Sequence, residues 1–285
     1  MPLTIRSGKK SDAPDCARIC YDAFTSLNAK HNFPSDFASP EVAAGLMEFV
    51  LDRDDVFSLV AEQDGKVVGS NFLWENGIIA GIGPITVDMN AQNSAIGRQL
   101  MERILDRAHE KKFAGVRLVQ AAFHNRSLSL YSKLGFDVRE PLSCIQGTTP
   151  KIVIAGYAVR PATAADVPAC ALLCNEIHGH DRSAELTGGI HKKTARVVEH
   201  GGKITGYCSE LGFFGHGVGR CNEDLKALIA TGEPIAGAGF LIPSRNGELF
   251  RWCLNNGLRV IQPMTLMSLG LYNEPKGPFL PSILF

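Results

Sequence analysis

A β-branched segment ending at Val87-Asp88 runs through a turn of small and polar residues into an amphipathic helix that begins near Ile96. Residues 85–101 read Ile-Thr-Val-Asp-Met-Asn-Ala-Gln-Asn-Ser-Ala-Ile-Gly-Arg-Gln-Leu-Met. The first N–H groups of a helix have no partner inside that helix, and in such a turn they point outward. They can hold a phosphate without a charged side chain. The stretch therefore predicts a strand–turn–helix unit with a phosphate site at the turn.

A second pattern follows this unit in the chain. Residues 96–110 carry apolar side chains at helical spacing, and residues 116–122 have the composition of a strand. The next stretch is Asn125-Arg-Ser-Leu-Ser-Leu-Tyr-Ser-Lys-Leu-Gly-Phe136. It predicts a short helix closed by Gly135, because glycine commonly occupies the position just after a helix.

The two patterns together resemble the GNAT superfamily of acyl-CoA-dependent N-acetyltransferases. The turn has the spacing Gln92-x-x-Ala95-x-Gly97 followed by Arg98, which is similar to the superfamily's pyrophosphate loop, Gln/Arg-x-x-Gly-x-Gly/Ala. The short helix is similar to its Asn-x(4–5)-Tyr-x-x-x-Gly-Phe motif. Ala95 departs from the glycine of the loop, and alanine tolerates a positive φ poorly. The resemblance covers roughly residues 3–140 and implies the superfamily's fold there.

The resemblance implies acetyl-CoA as the co-substrate. The turn would anchor the pyrophosphate, and backbone N–H groups near Val87 and Met89 would bond the thioester carbonyl as charge develops on it. The implied cofactor-binding residues are Val87, Met89, Gln92, Asn93, Ser94, Ala95, Ile96, Gly97, Arg98, Asn125 and Tyr131. Residues 78–87 contain two glycines and a proline, so this strand should be irregular. In the superfamily the matching strand splays from its neighbour and opens a slot for the pantetheine arm.

Tyr131 matches the superfamily position of the general acid that protonates the departing thiolate. The alternative is that Tyr131 only packs in the core or only hydrogen-bonds the cofactor sulfur. For the general base the sequence offers Glu75, at the end of a predicted hairpin strand, and His124, at the end of a later strand. Asp88 is also open, and in some members of the superfamily an ordered water takes this part.

The acceptor implied by the resemblance is an amine of a small molecule or a peptide. The segment that lies over the acceptor site in the superfamily contains Phe33 and Phe37 here. These two aromatic residues are candidates for the wall of the acceptor site. Loop aromatics that dock on the core are an equal alternative.

A faint internal repeat runs through the chain. Residues 5–20 and 159–174 share an arginine, an aspartate, a proline and two cysteines at the same spacing. Two further pairs of segments match in the same order: 62–69 with 199–206, and 134–138 with 256–260. The repeat predicts a tandem duplication and an α/β fold with two GNAT-like domains. Each would be a mixed, mostly antiparallel twisted sheet flanked by helices.

We predict an N-terminal domain over residues 1–145, a linker over 146–156 and a degenerate C-terminal domain over 157–285. The second copy has Gly-His-Gly-Val-Gly-Arg at 215–220, which lacks the loop spacing. Its next helix should start with Asn222 as the N-cap and with two acidic residues in the first turn that would repel a phosphate. This copy is therefore expected not to catalyse. It could bind part of the substrate, cover the first copy, or keep a degenerate coenzyme site.

Composition narrows the function classes. Twenty-nine basic and 29 acidic residues give a net charge of zero, so no nucleic-acid surface is expected. Cys16 and Cys20 lie one helical turn apart, as do Cys170 and Cys174, and free cysteine behaves as a small buried hydrophobe, so we interpret both pairs as helix core and expect no metal site or disulfide. The chain shows no signal-peptide core and no stretch long enough to span a bilayer. These features predict a protein without a membrane partner, located in the cytoplasm.

The sequence thus predicts an N-acetyltransferase that moves an acetyl group from acetyl-CoA to a primary amine by direct attack. A non-catalytic acyl-CoA-binding sensor or interaction module is the alternative. A duplicated scaffold without any cofactor is a third reading, because a fold does not fix a function. Both a monomer and a homodimer remain open, since two fused halves could imitate the dimer of single-copy relatives.

Overall fold

A computed structural model describes residues 3–92, 95–231 and 235–284 of the chain. It shows a mixed α/β fold in which helices cover two sheets. The strands are β1 (Thr4–Ser7), β2 (Val56–Gln63), β3 (Lys66–Trp74), β4 (Ile79–Ile82), β5 (Thr86–Val87), β6 (Gly115–Ala121), β7 (Asp137–Gln146), β8 (Tyr157–Pro161), β9 (Arg196–His200), β10 (Lys203–Cys208), β11 (Gly217–Gly219), β12 (Phe240–Pro243), β13 (Arg259–Gly270) and β14 (Phe279–Leu280). The helices are α1 (Ala13–Lys30), α2 (Pro40–Leu51), α3 (Ile96–Glu110), α4 (Asn125–Lys133), α5 (Val167–His178), α6 (Ser183–His191), α7 (Asn222–Ala230) and α8 (Gly247–Asn255).

The larger sheet has the strand order β1-β2-β3-β4-β6-β13-β7-β12, with β5 also paired to β3. Its described pairs are antiparallel except β4 and β6, which run parallel. Helices α1 and α2 pack on one face, around Ile19 and Met47. Helices α3 and α4 pack on the other face, around Leu100 and Tyr131. The predicted fold class, a mostly antiparallel mixed sheet flanked by helices, is confirmed.

This larger sheet crosses the predicted boundary between the two halves. β13 lies between β6 and β7, so that Met264 is opposite Ala121 on one side and Leu142 on the other. β12 pairs with the free edge of β7. The strand after the short helix of each half therefore lies beside the strand before the short helix of the other half. The linker at 146–156 remains a prediction, and the halves on either side of it share one hydrogen-bonded sheet.

The smaller sheet belongs to the second half and has the order β14-β11-β10-β9-β8, all antiparallel. Helices α5 and α6 pack on one face and α7 and α8 on the other. The paired cysteines of α1 and α5 are fully buried in the cores of their halves. Across the described ranges, no three metal-ligating side chains converge. None of the helices described here has both the length and the apolar character needed to cross a membrane.

The segments matched by the sequence repeat make the same contacts in both halves. Arg6 donates two hydrogen bonds to Asp12, at 2.8 and 2.9 Å, and a third to a glutamate of β2. Arg160 donates two to Asp166, both at 2.8 Å, and a third to a glutamate of β9. Each aspartate also accepts the backbone N–H three residues before it, and a helix with proline in its first turn follows. These matched contacts support the tandem duplication, which remains a prediction.

Candidate functional site

β4 and β6 diverge after a short parallel stretch. They pair for three residues, ending at Gly81 and Arg117. The strand is then interrupted at the cis peptide between Gly83 and Pro84. It continues as β5, which pairs with β3 along the edge that faces away from β6. β5 and the end of β6 therefore stand apart, and we call the gap between them the slot. The irregular strand predicted over residues 78–87 is confirmed.

β5 presents backbone polar groups to this slot. The Asp88 N–H donates to the Val68 carbonyl at 2.9 Å. Because residues of an antiparallel ladder alternate between bonded and non-bonded positions, Val87 directs its own N–H and C=O away from β3. These groups face the slot, where an extended ligand with amide groups could bond to them as an added strand does. Met89 begins the turn after β5 and is exposed.

The start of α3 places N–H groups that have no partner inside the helix at the open end of the slot. The first bond within α3 runs from the Gln99 N–H to the Ala95 carbonyl at 3.0 Å. The N–H groups of Ile96, Gly97 and Arg98 therefore have no carbonyl inside the helix to bond. The positive end of the helix dipole lies at the same place. A phosphate could be held there by these three backbone groups.

Ala95 adopts a left-handed conformation, with φ 60° and ψ 9°, directly before α3. The loop thus keeps the geometry that suits glycine, although an alanine occupies it. Gln92 accepts a hydrogen bond from Arg126 at 3.1 Å, which ties the turn to α4. Asn93 and Ser94, which the sequence also implied as cofactor ligands, lie outside the described residues.

We expect Ala95→Gly to raise the free energy of unfolding by about 1 kcal/mol, because a left-handed φ costs an L-residue more than glycine. Urea unfolding of the purified protein measures this change. Ala23→Gly, in the middle of α1, is the control and should lower the free energy by about 1 kcal/mol through lost helix propensity. An equal loss in both variants would contradict strain at Ala95.

α4 brings two predicted catalytic residues together on the far wall of the slot. Tyr131 is 5% exposed, and burial raises the pKa of its phenol to about 12. Its hydroxyl hydrogen-bonds Ser127, whose Oγ in turn contacts Nδ1 of His124. Burial lowers the pKa of His124, with nearby Arg126 adding to the effect, so the imidazole is neutral at pH 7. Asn125 is exposed at the first residue of α4.

One polar residue of the slot was missed from the sequence. Gln120 lies on the face of β6 that carries Val116 and Leu118, which pack towards α3. It is 6% exposed, and neither its amide nitrogen nor its oxygen has a hydrogen-bond partner among the described residues. A buried amide without partners costs about 1–3 kcal/mol, so an amide-bearing ligand in the slot would satisfy it. A lone glutamine within the apolar run of residues 116–122 was the available signal.

Glu75 lies away from the slot. Its carboxylate accepts two hydrogen bonds from Arg107, at 2.7 and 3.0 Å. Arg107 is twelve residues beyond Ala95 on α3, about 18 Å along the helix axis. The preceding residue, Trp74, pairs with Gly81, where β4 and β6 have not yet diverged. Glu75 is therefore held in an ion pair where β4 and β6 are still paired, and its part as a general base stays a prediction.

The segment between α1 and α2 covers the open end of β6. Phe33 stacks on Phe123 with ring centroids 4.4 Å apart, and His31 contacts the same ring at 5.0 Å. Phe37 instead packs into the core beside Phe24, at 5.9 Å. Of the two aromatic residues proposed for an acceptor wall, only Phe33 is therefore brought to the slot.

The matching gap in the second half is filled by the chain itself. β14 pairs with β11, placing Leu280 opposite Gly217 and Phe279 opposite Val218. In the first half the corresponding edge belongs to β5 and faces the slot. A peptide strand thus occupies the place in which the first half could take an extended ligand.

The helix start of the second half is also changed. α7 spans Asn222–Ala230 with Cys221 as its N-cap, one residue earlier than expected. The buried Asp224 carboxylate accepts the Cys221 N–H at 3.0 Å. An acidic side chain therefore occupies the helix start, whereas the first N–H groups of α3 have no partner inside their helix. A phosphate would be repelled here.

Residues 22–136 match the model of the acetyltransferase (GNAT) family. A presumed acetyltransferase from Pyrococcus horikoshii shares the fold with a TM-score of 0.77 at 19% identity, over 99% of this chain and 94% of that one. The GCN5-related N-acetyltransferase from Sphaerobacter thermophilus has a TM-score of 0.63 at 15% identity, over 95% of this chain and 96% of that one. At such identities these likenesses show the fold alone. No curated protein matches the sequence.

Proposed function

We propose that this chain moves an acetyl group from acetyl-CoA to a primary amine. Residues 22–136 form a domain of the acetyltransferase (GNAT) family, and the chain is therefore a transferase. The acceptor would belong to a small molecule or a peptide. The observation that carries this proposal is the slot between β5 and β6, which ends at the unpaired N–H groups of α3. It suits a ligand with an anionic end and a long amide-bearing arm.

The diphosphate, the amide-bearing arm and the thioester of such a ligand would each meet protein groups that can bind them. The diphosphate would lie against the N–H groups of Ile96, Gly97 and Arg98, and its binding energy would fix the distant thioester. The two amides of the arm would meet the Val87 backbone and the buried Gln120 side chain. The developing oxyanion of the thioester would then be stabilised by backbone N–H groups of β5.

Tyr131 is proposed to protonate the thiolate that leaves the thioester. With a pKa of about 12 the phenol is fully protonated at neutral pH and is available as a donor. Ser127 and His124 extend the hydrogen-bonded chain towards the end of α4. We propose that a proton returns to Tyr131 along this chain: Ser127 passes its hydroxyl proton to the phenolate, Nδ1–H of neutral His124 reprotonates Ser127, and Nε2 of His124 takes a proton from solvent.

The second half is proposed to lack a coenzyme site of its own. β14 fills its gap, and Asp224 occupies its helix start. One coenzyme per chain is therefore expected. We keep a cytoplasmic location, and a monomer or homodimer, as parts of this proposal.

Thermal unfolding with CoA and acetyl-CoA tests the proposal. A ligand at about 100 times its Kd should add roughly 2.7 kcal/mol to the free energy of unfolding. Ala95→Glu places a carboxylate beside the unpaired N–H groups and should abolish this stabilisation. Lys111→Glu, at the exposed far end of α3, is the matched control and should keep it.

Turnover separates the two candidate functions. An enzyme should release free thiol from acetyl-CoA when it is given a suitable amine. Stabilisation by CoA without thiol release across a broad panel of amines would support the non-catalytic sensor. No stabilisation of the unmodified protein by either CoA form would overturn both.

A further inference from the structure

Asp36, in the segment between α1 and α2, contacts a strand of the second half. Nε2 of Gln262, on β13, donates to the Asp36 carboxylate at 2.5 Å. The side chain of Asn28, near the end of α1, also hydrogen-bonds this carboxylate and donates to the Pro34 carbonyl at 2.9 Å. Gln262 and Asn28 are each 1% exposed. Three polar side chains from both halves thus meet in one cluster, in which the two amides are buried and Asp36 is half-buried.

This cluster holds more acceptors than donors. Oε1 of Gln262 and Oδ1 of Asn28 are buried and have no hydrogen-bond partner within the described ranges. Both amides use their NH₂ groups on Asp36 or Pro34, so their oxygens remain close to the carboxylate. An unpaired buried acceptor is unfavourable, because it has lost its hydrogen bonds to water. A group with several N–H donors and no acceptor is the complement that the cluster requires, and a primary ammonium group has three donors.

The negative charge of Asp36 also favours an ammonium group as the ligand of this cluster. Burial raises the pKa of the Asp36 carboxyl, and the hydrogen bonds from Gln262 and Asn28 offset only part of that effect. Among the ion pairs of the described residues, none involves Asp36. Asp36 is half-buried, so its carboxylate is less well solvated than in water and a cation would stabilise it.

The cluster lies beside the end of β6, which forms one wall of the slot. Met264 is opposite Ala121, and the Ala122 N–H donates to the Pro263 carbonyl at 3.0 Å. Gln262 therefore lies beside the next residue of the first half, Phe123, on which Phe33 stacks. Asp36 belongs to the α1–α2 face of the sheet, whereas Tyr131 belongs to the α4 face. A thioester in the slot would be reached by the two groups from opposite sides.

We propose that Asp36, Gln262 and Asn28 bind the ammonium group of the acceptor and that Asp36 takes its proton. The acceptor is then a primary amine on an apolar or aromatic stem, since the rings of Phe33 and Phe123 flank the approach. An anionic group next to the amine would be repelled by Asp36. This inference rests on the proposed acetyl transfer and gives the second half a part in it, through Gln262.

The protons and electrons balance without a further reactant. One N–H bond of the ammonium breaks, and its proton goes to the Asp36 carboxylate. The freed lone pair attacks the thioester carbonyl and forms the C–N bond. The C–S bond breaks as the tetrahedral intermediate collapses, and the thiolate takes the proton of Tyr131. The second proton of the amine nitrogen leaves to solvent as the amide forms.

Calorimetric titration of the full chain with benzylamine at pH 7, where it is an ammonium, tests the inference. Benzyl alcohol, of the same shape and without charge, is the control ligand and should bind at least tenfold more weakly. Asp36→Asn and Gln262→Leu should each weaken benzylamine binding about tenfold or more. Asp22→Asn, on the solvent side of α1, should leave the affinity unchanged.

CoA binding, measured on the same variants, separates this inference from the proposed function. Asp36→Asn and Gln262→Leu should keep the CoA affinity of the unmodified protein, which also shows that they fold. Benzylamine binding that is absent, or equal in Asp36→Asn, would overturn the ammonium site even if CoA binds. An amine site that depends on Asp36, in a protein that binds no CoA, would support the ammonium site and overturn acetyl transfer.

Discussion

Replacing Tyr131 with phenylalanine should lower kcat for acetyl transfer by about 100-fold and leave the Kd for CoA within about twofold. The aromatic ring, which packs 6.2 Å from Phe136, is kept, so only the hydroxyl is lost. A group that acts on the departing thiolate affects the chemical step more than ground-state binding. The release of free thiol measures kcat, and calorimetry measures the affinity for CoA.

Two matched variants sharpen this test. Tyr21→Phe removes a hydroxyl from α1 and should change neither quantity. Ser127→Ala breaks the chain behind the phenol and should lower kcat less than Tyr131→Phe does. Because burial raises the pKa of Tyr131 to about 12, its ionisation should cause no loss of rate below about pH 10. Full activity in Tyr131→Phe would leave this residue as a packing tyrosine only.

Replacing Phe279 with alanine should lower the free energy of unfolding by about 3–5 kcal/mol. Phe279 is 4% exposed and packs in the core between α5 and the smaller sheet, with its ring edge-on to His178 at 5.2 Å. Removing the ring leaves a cavity beside β11 that the surrounding strands cannot fill. Urea unfolding followed by circular dichroism measures the loss.

The control for this variant is Phe214→Ala, at a phenylalanine that is 41% exposed. It should cost about 1 kcal/mol or less, because little apolar surface is withdrawn from burial. CoA titration of Phe279→Ala should still give one site per chain, since Asp224 remains at the start of α7. Equal losses in the two variants would contradict β14 as a core element, and two CoA sites in Phe279→Ala would contradict the exclusion of a phosphate by Asp224.

Much of the first half could be predicted because its signals are local. The irregular strand over residues 78–87 and the start of α3 each depend on residues within a few positions of one another. The sequence showed only that Ala95 stands where the superfamily loop has glycine. The structure shows that Ala95 still adopts the left-handed backbone conformation. The ion pair of Glu75 could not be predicted because its partner, Arg107, comes from another element 32 residues away.

The sequence by itself determined the elements, the strand–turn–helix unit and the chemistry that the slot can offer, since caps, turns and periodicity act over short distances. Only the tertiary structure decided that β13 inserts between β6 and β7, and that β14 closes the second gap. It also placed Gln262 against Asp36, 226 positions away in the chain. Pairings over such separations are set by packing and by competition between strand edges, which leave no periodic trace in the sequence.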